Sequence, residues 1–120
     1  MPGSKQLLGR LGESAAARHL ERRGWRILER NVRSRFGEID IVAQDGPVLV
    51  FLEVRTRSGR AFGTPEESIT RAKQERMARC AWAYLSLLPQ PEPEWRIDLI
   101  AIELVHRHVA RLEHYEHVLQ

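Results

Sequence analysis

GEIDIVAQDGPVLVFLEVRTR, at residues 37–57, is the segment from which the architecture of this chain follows. It holds two apolar runs separated by Asp-Gly-Pro at residues 45–47. Such a turn between two apolar runs predicts a β-hairpin, with strands at residues 37–43 and 48–56. The second run is apolar on both faces, so we expect a central strand that is covered on both sides.

Charged side chains interrupt both strands of this hairpin. Alternate residues of a strand share a face, so Glu38 and Asp40 should point to one side, and Glu53, Arg55 and Arg57 should share a side of the second strand. The turn can bring Asp40 within reach of Glu53 across the pair. Two carboxylates so close together repel each other and raise a pKa unless a cation lies between them.

Two interpretations of these charges follow from the residues alone. In the first, carboxylate oxygens hold Mg²⁺ or Mn²⁺, and Arg55 binds a phosphate through paired hydrogen bonds. In the second, Arg55 or Arg57 neutralises Glu53 and Asp40 in a structural ion pair. Ions inside the most apolar strand of a chain are a costly way to gain stability, which counts against the second.

Outside the hairpin, apolar spacing predicts two helices and further strands. Ser4 can cap the first helix and Gly24 can end it, while Thr64 and Glu67 resemble a capping box at the start of the second. The predicted elements are a helix at residues 4–23, a strand at 25–32, a turn at 33–35, a helix at 64–88, a strand at 95–104 and a short edge strand within 109–120. The order α-β-β-β-α-β-(β) predicts an α/β fold, with a mixed sheet of four to five strands flanked by helices.

Length and composition indicate one ordinary globular domain over residues 1–120, with flexible ends. Of the 120 residues, 42% are hydrophobic and 29% charged, and no apolar run is long enough to span a membrane. The N-terminus has no secretory signal, and the single cysteine, Cys80, excludes an internal disulfide. We therefore expect a cytoplasmic protein.

Positive charge is concentrated in the first half of the chain. Residues 1–60 carry 12 basic and 7 acidic side chains, whereas residues 61–120 carry 7 and 9. A basic half suits a nucleic-acid partner, although a solvated arginine-rich surface has the same composition. The candidate contacts to the DNA backbone are Arg33, Arg35, Arg57, Arg60, Arg71 and Lys73.

Several other residues are assigned structural roles. Trp25, Trp82, Trp95 and Cys80 are expected in the core. The histidines at positions 106, 108, 114 and 117 have loose metal-ligand spacing, and we expect them on the surface.

The order of the motifs resembles the PD-(D/E)XK nuclease superfamily, and more narrowly the YraN family of predicted endonucleases, which is related to archaeal Holliday-junction resolvases. The likeness covers about residues 8–105, most of the chain. The matching segments are GESAA at residues 12–16, NVR at 31–33, GEID at 37–40, VFLEVRTR at 50–57, FG at 62–63 and KQ at 73–74.

The resemblance implies a restriction-endonuclease-like fold with a metal site. It implies that Asp40, Glu53 and the backbone carbonyl of Val54 hold the metal, with Glu13 as an additional acidic ligand. From the sequence alone, a surface glutamate near a helix N-terminus is the slightly more ordinary role for Glu13. The sequence departs from the superfamily at Arg55, where the motif has lysine, and an arginine is a poor base because it stays protonated.

Three functions therefore remain to be distinguished. The first is a Mg²⁺- or Mn²⁺-dependent endonuclease for branched DNA, working as a possible homodimer, with Asp40, Glu53, Arg55 and Glu38 in its catalytic site. In this reading Glu38 or the metal activates water, or Lys73 replaces the motif lysine. The second is a DNA-binding module that lost cleavage, and the third is a structural subunit of a DNA-processing complex.

Overall fold

The computed structural model describes residues 4–58 and 69–118, which form a five-stranded sheet with a helix on each face. The sheet order is β1-β2-β3-β4-β5, and only the β3–β4 pair is parallel. The predicted element order and mixed α/β fold are confirmed. The elements are α1 (Ser4–Arg22), β1 (Arg26–Ser34), β2 (Gly37–Asp45), β3 (Val48–Ser58), α2 (Arg71–Leu85), β4 (Trp95–Val105) and β5 (His108–Tyr115).

The central strand β3 is covered on both sides, as its sequence predicts. Val50 and Leu52 pack into a buried cluster beneath α1, together with Leu20. Phe51 packs into a second buried cluster beneath α2, together with Met77. The continuous apolar run of β3 therefore supplies side chains to both cores, while α2 lies on the long crossover that a parallel pair requires.

The end of α1 follows from one glycine. Gly24 has a φ of +85°, the left-handed conformation that glycine adopts without steric cost. The Gly24 N–H donates to the Glu21 carbonyl at 3.0 Å, and the Trp25 N–H donates to the Leu20 carbonyl at 3.0 Å. This pair of bonds is the Schellman motif, which satisfies the last carbonyls of a helix. It also turns Trp25 into the core beneath α1.

The second helix begins later than its sequence predicts. Ile69 and Thr70 are not helical, and α2 starts at Arg71, where the Thr70 hydroxyl accepts a hydrogen bond from the Lys73 N–H at 3.2 Å. Thr70 thus takes the capping role expected of Thr64, because its oxygen satisfies an otherwise unpaired N–H of the first turn. The expected capping box itself lies outside the described residues. The helix ends at Leu85 rather than at residue 88.

Two further expectations need correction. The strand β1 continues to Ser34, so the turn to β2 is formed by Arg35 and Phe36. Trp82 is 53% exposed, because Cys80, Ala81 and Leu85 occupy the buried side of α2. Its ring instead packs edge-to-face against Trp95, with the ring centroids 5.3 Å apart.

The helix α1 lies unusually close to β3 at Gly12. A Cβ atom added at Gly12 would stand 1.8 Å from the Thr56 side-chain oxygen, far inside van der Waals contact. Only glycine permits this approach, and it places the neighbouring residue, Glu13, over the sheet. Within the described residues, neither helix is long and apolar enough to cross a membrane.

Candidate functional site

The candidate site lies where β2 and β3 separate. The β2–β3 ladder runs from Asp45 and Val48 to Ile41 and Leu52, and it stops there. Beyond it, residues 37–39 pair with β1 and residues 53–58 pair with β4. Asp40 and Glu53 are therefore the first residues past the ladder, at the base of a V-shaped opening that we call the fork.

Asp40 replaces the next ladder bond with its side chain. Its carboxylate accepts a hydrogen bond from the Val54 N–H at 2.7 Å. The strand alternation also shifts here, because Ile39 packs beneath α2 whereas Ile41 packs beneath α1. The shift is what lets Asp40 turn into the fork, and it places Asp40 beside the backbone of Val54.

Three carboxylates meet at the fork. Glu13 of α1, Glu38 and Asp40 each offer an oxygen within 4.8 Å of the others. Glu13 also lies 3.9 Å from Arg30 of β1, at the limit of an ion pair. The sequence named all three residues, but the approach of Glu13 depends on how α1 crosses the sheet, which no local pattern shows.

The acid strength of Asp40 reflects this crowding. Burial raises the pKa of Asp40 to about 6 from 3.8, against the lowering effect of the Val54 hydrogen bond. The negative charges of Glu13, Glu53 and Glu38 contribute to this raised pKa after burial. Four acidic side chains therefore interact at the fork, and their mutual repulsion is a cost that a bound cation would remove.

We expect Asp40→Asn to stabilise the metal-free protein at alkaline pH. Protonation of Asp40 supports the fold fully below the unfolded-state pKa of 3.8, and this support is lost as the pH rises through about 6. In EDTA at pH 8, the variant should gain about 1–3 kcal/mol in the free energy of unfolding. Urea denaturation at pH 4 and pH 8 measures this, and the gain should nearly vanish at pH 4.

The exposed Glu21→Gln variant is the matched control, because it removes a carboxylate of α1 that lies outside the cluster. Equal gains in both variants would show that general charge repulsion, and not the fork, sets the pH dependence.

Glu53 has a different environment from the three clustered carboxylates. Its side chain is 13% exposed and faces α2, where three cations surround it. Arg55 Nε and Lys73 Nζ lie 3.2 Å and 3.5 Å from Glu53 Oε2, and an Arg76 nitrogen lies 3.8 Å from Oε1. Lys73 is therefore not a solvated helix lysine, which is its more ordinary role, but reaches the site from the second helix, as the alternative interpretation requires.

One oxygen of Glu53 nevertheless has no hydrogen-bond partner among residues 4–58 and 69–118. Within these ranges Glu53 Oε2 and Arg55 Nε are both buried without a hydrogen bond, so their 3.2 Å contact is an ion pair without hydrogen-bond alignment. The charges of Arg55 and Lys73 offset only part of the cost of a buried carboxylate oxygen in this state. Together with the all-oxygen cluster beside it, this atom fits a hard divalent cation such as Mg²⁺ or Mn²⁺.

The basic residues expected to contact DNA are spread more widely. Arg33 is 84% exposed and pairs with Glu38 at 3.0 Å, whereas Arg35 and Arg71 are exposed near the fork end of β1 and α2. Arg57 is partly buried on β3, and Arg60 lies outside the described residues. Arg76 was not predicted from the sequence, because its contact with Glu53 depends on the packing of α2.

A second polar cluster lies away from the fork and was also missed. Asp98 of β4 is fully buried and contacts His114 Nε2 at 2.8 Å, Arg96 Nε at 3.0 Å and the His117 N–H at 2.9 Å. Burial alone would raise the pKa of Asp98, but these hydrogen bonds outweigh it and lower the pKa. His114 is therefore buried in this cluster, which corrects the expectation that it lies on the surface.

Comparison with known proteins identifies the family. Residues 12–102 match the Uncharacterised protein family UPF0102. The chain belongs to this family. UPF0102 is the YraN-like group that the motifs resemble, and the matched residues include Glu13 and the whole of the fork.

Curated UPF0102 proteins from several bacteria are similar over most of their length. A UPF0102 protein of Symbiobacterium thermophilum is 54% identical over 96 residues, covering 80% of this chain and 81% of that protein. A UPF0102 protein of Pelotomaculum thermopropionicum is 49% identical over 118 residues, covering 97% of this chain and 98% of that protein. A UPF0102 protein of Geobacter sulfurreducens is 42% identical over 109 residues, covering 91% of this chain and 85% of that protein.

Proposed function

We propose that this UPF0102 protein is a divalent-metal-dependent endonuclease that hydrolyses phosphodiester bonds in branched DNA. The observation that carries the proposal is the meeting of Glu13, Glu38 and Asp40 within 4.8 Å, next to the buried, incompletely bonded Glu53. The resemblance to the PD-(D/E)XK superfamily supports the same reading. The proposal includes a cytoplasmic location, and two copies acting together where both strands of a junction are cut.

Asp40 and Glu53, aided by Glu13, would hold Mg²⁺ or Mn²⁺ at the fork. The cation would supply charge neutralisation for the phosphate and would make an attacking water more acidic. The Val54 N–H keeps one Asp40 oxygen fixed, which orients the carboxylate before any substrate arrives. Such preorganisation lowers the cost of assembling the reactive geometry.

Lys73 is the residue that we assign to the role of the missing motif lysine. Its ammonium lies 3.5 Å from Glu53 Oε2, and its side chain is 17% exposed, so it is held inside the site. From there it can orient water and stabilise negative charge on the phosphate. Arg55 is 37% exposed and always protonated, which suits it to phosphate binding and not to accepting a proton.

Cleavage assays test this proposal directly. Labelled four-way junction, flap and linear DNA should be incubated with Mg²⁺, Mn²⁺ or EDTA. We expect metal-dependent cutting that favours branched DNA and falls by at least about 100-fold in Asp40→Ala and in Glu53→Ala. A second readout is thermal stability, which millimolar Mn²⁺ should raise in the parent protein and leave unchanged in Asp40→Ala.

Two other outcomes of the cleavage assays would contradict the proposed activity. Salt-sensitive DNA binding without cutting would identify a binding module that retains the fold, in line with the Arg55 departure. Cutting that persists in EDTA or in both alanine variants would contradict a metal-dependent mechanism at the fork.

A further inference from the structure

A basic cavity adjoins the fork on the side of α2. It has a volume of about 390 Å³ and lies between the β1–β2 turn and the first turns of α2. The lining residues are Arg35 and Phe36 from the turn, and Ala72, Glu75, Arg76 and Arg79 from the helix. Three of these six carry guanidinium groups and one is acidic, so the lining has an excess of two positive charges.

Two of the arginines are available for a ligand. Arg35 and Arg79 are exposed, and no carboxylate among the described residues lies within ion-pair distance of either. A guanidinium group stays charged at any physiological pH and binds phosphate oxygens through paired hydrogen bonds. The cavity therefore presents positive charge that no carboxylate of the described residues neutralises through an ion pair.

Arg76 connects this cavity to the candidate metal site. One of its nitrogens lies 3.8 Å from Glu53 Oε1, while its side chain also lines the cavity. Gly37 makes room for it, since a Cβ at Gly37 would stand 3.1 Å from the Arg76 Cδ. A phosphate in the cavity would thus be separated from the fork by one arginine side chain.

Phe36 indicates which part of a nucleic acid the cavity takes. The Arg35 guanidinium carbon lies 4.8 Å from the centre of the Phe36 ring and covers one of its faces. The ring is also partly buried against the core beneath α2. It is therefore placed to hold Arg35 by a cation–π contact, and it offers little free face for a stacked base.

We propose that this cavity binds a backbone phosphate of the substrate strand, next to the phosphate that is cleaved at the fork. The inference rests on the proposed nuclease function and adds a subsite to it. Recognition at this subsite depends on the charge of the backbone and not on the bases. Arg35 and Arg79 clasp the phosphate from opposite walls, and Arg76 sets its distance from Glu53.

The test is DNA binding in EDTA, which needs no cleavage. Fluorescently labelled junction and linear duplex, each in two unrelated sequences, are titrated at several salt concentrations. Arg35→Ala and Arg79→Ala should each reduce the slope of log affinity against log salt by about 1, and the double variant by about 2. The loss should be the same for both sequences.

Arg18→Ala is the matched control, because Arg18 is an exposed helical arginine on α1, across the sheet from the cavity. It should leave the slope unchanged. Ala72→Glu provides a second test, since it keeps every arginine and adds a carboxylate to the cavity wall. It should weaken binding by at least about threefold at low salt.

Slopes that fall equally in Arg18→Ala, losses that depend on sequence, or an absence of DNA binding would each overturn the subsite. Its failure and that of the nuclease proposal are distinguishable. Loss of binding in the arginine variants of a protein that never cuts supports the cavity alone. Metal-dependent cutting that Arg35→Ala and Arg79→Ala leave unchanged supports the fork alone.

Discussion

Replacing Lys73 with methionine is expected to lower the rate of metal-dependent DNA cleavage by about 100-fold or more. Methionine keeps the apolar stem but removes the ammonium that lies 3.5 Å from Glu53 Oε2. Loss of one preorganised charge or donor in a buried site commonly has an effect of this size. Single-turnover cleavage of a labelled four-way junction measures the rate, and binding in EDTA should change far less.

The chain supplies its own control, because Lys5 is its only other lysine. Lys5 lies exposed at the start of α1, so Lys5→Met should cut at the parent rate. Arg55→Lys tests the competing account, in which position 55 has simply lost its lysine. We expect the cleavage rate of Arg55→Lys to change by less than about threefold, since our proposal assigns the role of the motif lysine to Lys73. A tenfold rise in the cleavage rate of Arg55→Lys, together with normal cutting by Lys73→Met, would show that position 55 carries the role of the motif lysine.

Among the substitutions proposed for this protein, Asp98→Ala should cause the largest loss of stability, about 3–5 kcal/mol in the free energy of unfolding. The substitution leaves Arg96, which is 16% exposed, and His114, which is 6% exposed, without their shared carboxylate. A buried charge without its partner is far more costly than the absence of the pair. Urea denaturation at pH 7 measures the loss.

Asp45→Asn is the control for this experiment, because Asp45 also contacts Arg96, at 3.6 Å, but is 41% exposed. Asp45→Asn should lower the free energy of unfolding by less than about 1 kcal/mol. If Asp98→Ala does not fold, Asp98→Asn retains the shape and can still accept the His117 N–H. Equal losses from Asp45→Asn and Asp98→Asn would contradict the dominance of the buried contacts.

The pH dependence at Asp98 has the opposite sign to that at Asp40. Because the pKa of Asp98 is lowered in the fold, its contribution is present above the unfolded-state value of 3.8 and is lost as the pH falls through the folded-state pKa. Acid should therefore weaken the β4–β5 edge while it relieves the repulsion at Asp40.

The hairpin and the order of elements were predictable because they depend on local pattern. Asp45-Gly46-Pro47 marks the turn, and the two-sided apolar run identifies β3 as central. The capping residue of α2 was not predictable, since Thr64 and Thr70 are both residue types that favour the N-cap position. Local chemistry gives candidates for a helix start but does not rank them.

The sequence named residues that the fold brings to the fork, but not their arrangement. Asp40 and Glu53 both lie just past the end of the β2–β3 ladder, yet Asp40 joins Glu13 and Glu38 whereas Glu53 faces the cations of α2. The shift of alternation between Ile39 and Ile41 is also invisible to a strict period of two. The contacts of Arg76 and Lys73 with Glu53 join residues 20 or more positions apart. The Asp98 contacts with His114 and His117 join residues 16 and 19 positions apart, and no local pattern distinguishes Asp98 from an ordinary strand residue.

The close approach of Gly12 to Thr56 makes both the packing of α1 and the position of Glu13 depend on one residue. Glu13 follows directly in the chain, so the contact that seats α1 on β3 also aims a carboxylate into the fork. A methyl group at position 12 would lift the helix and withdraw Glu13 in the same movement. Separate genetic screens for thermal tolerance and for the proposed DNA cutting should therefore both select against the same substitutions at Gly12, although glycine has no side chain with which to bind metal or DNA.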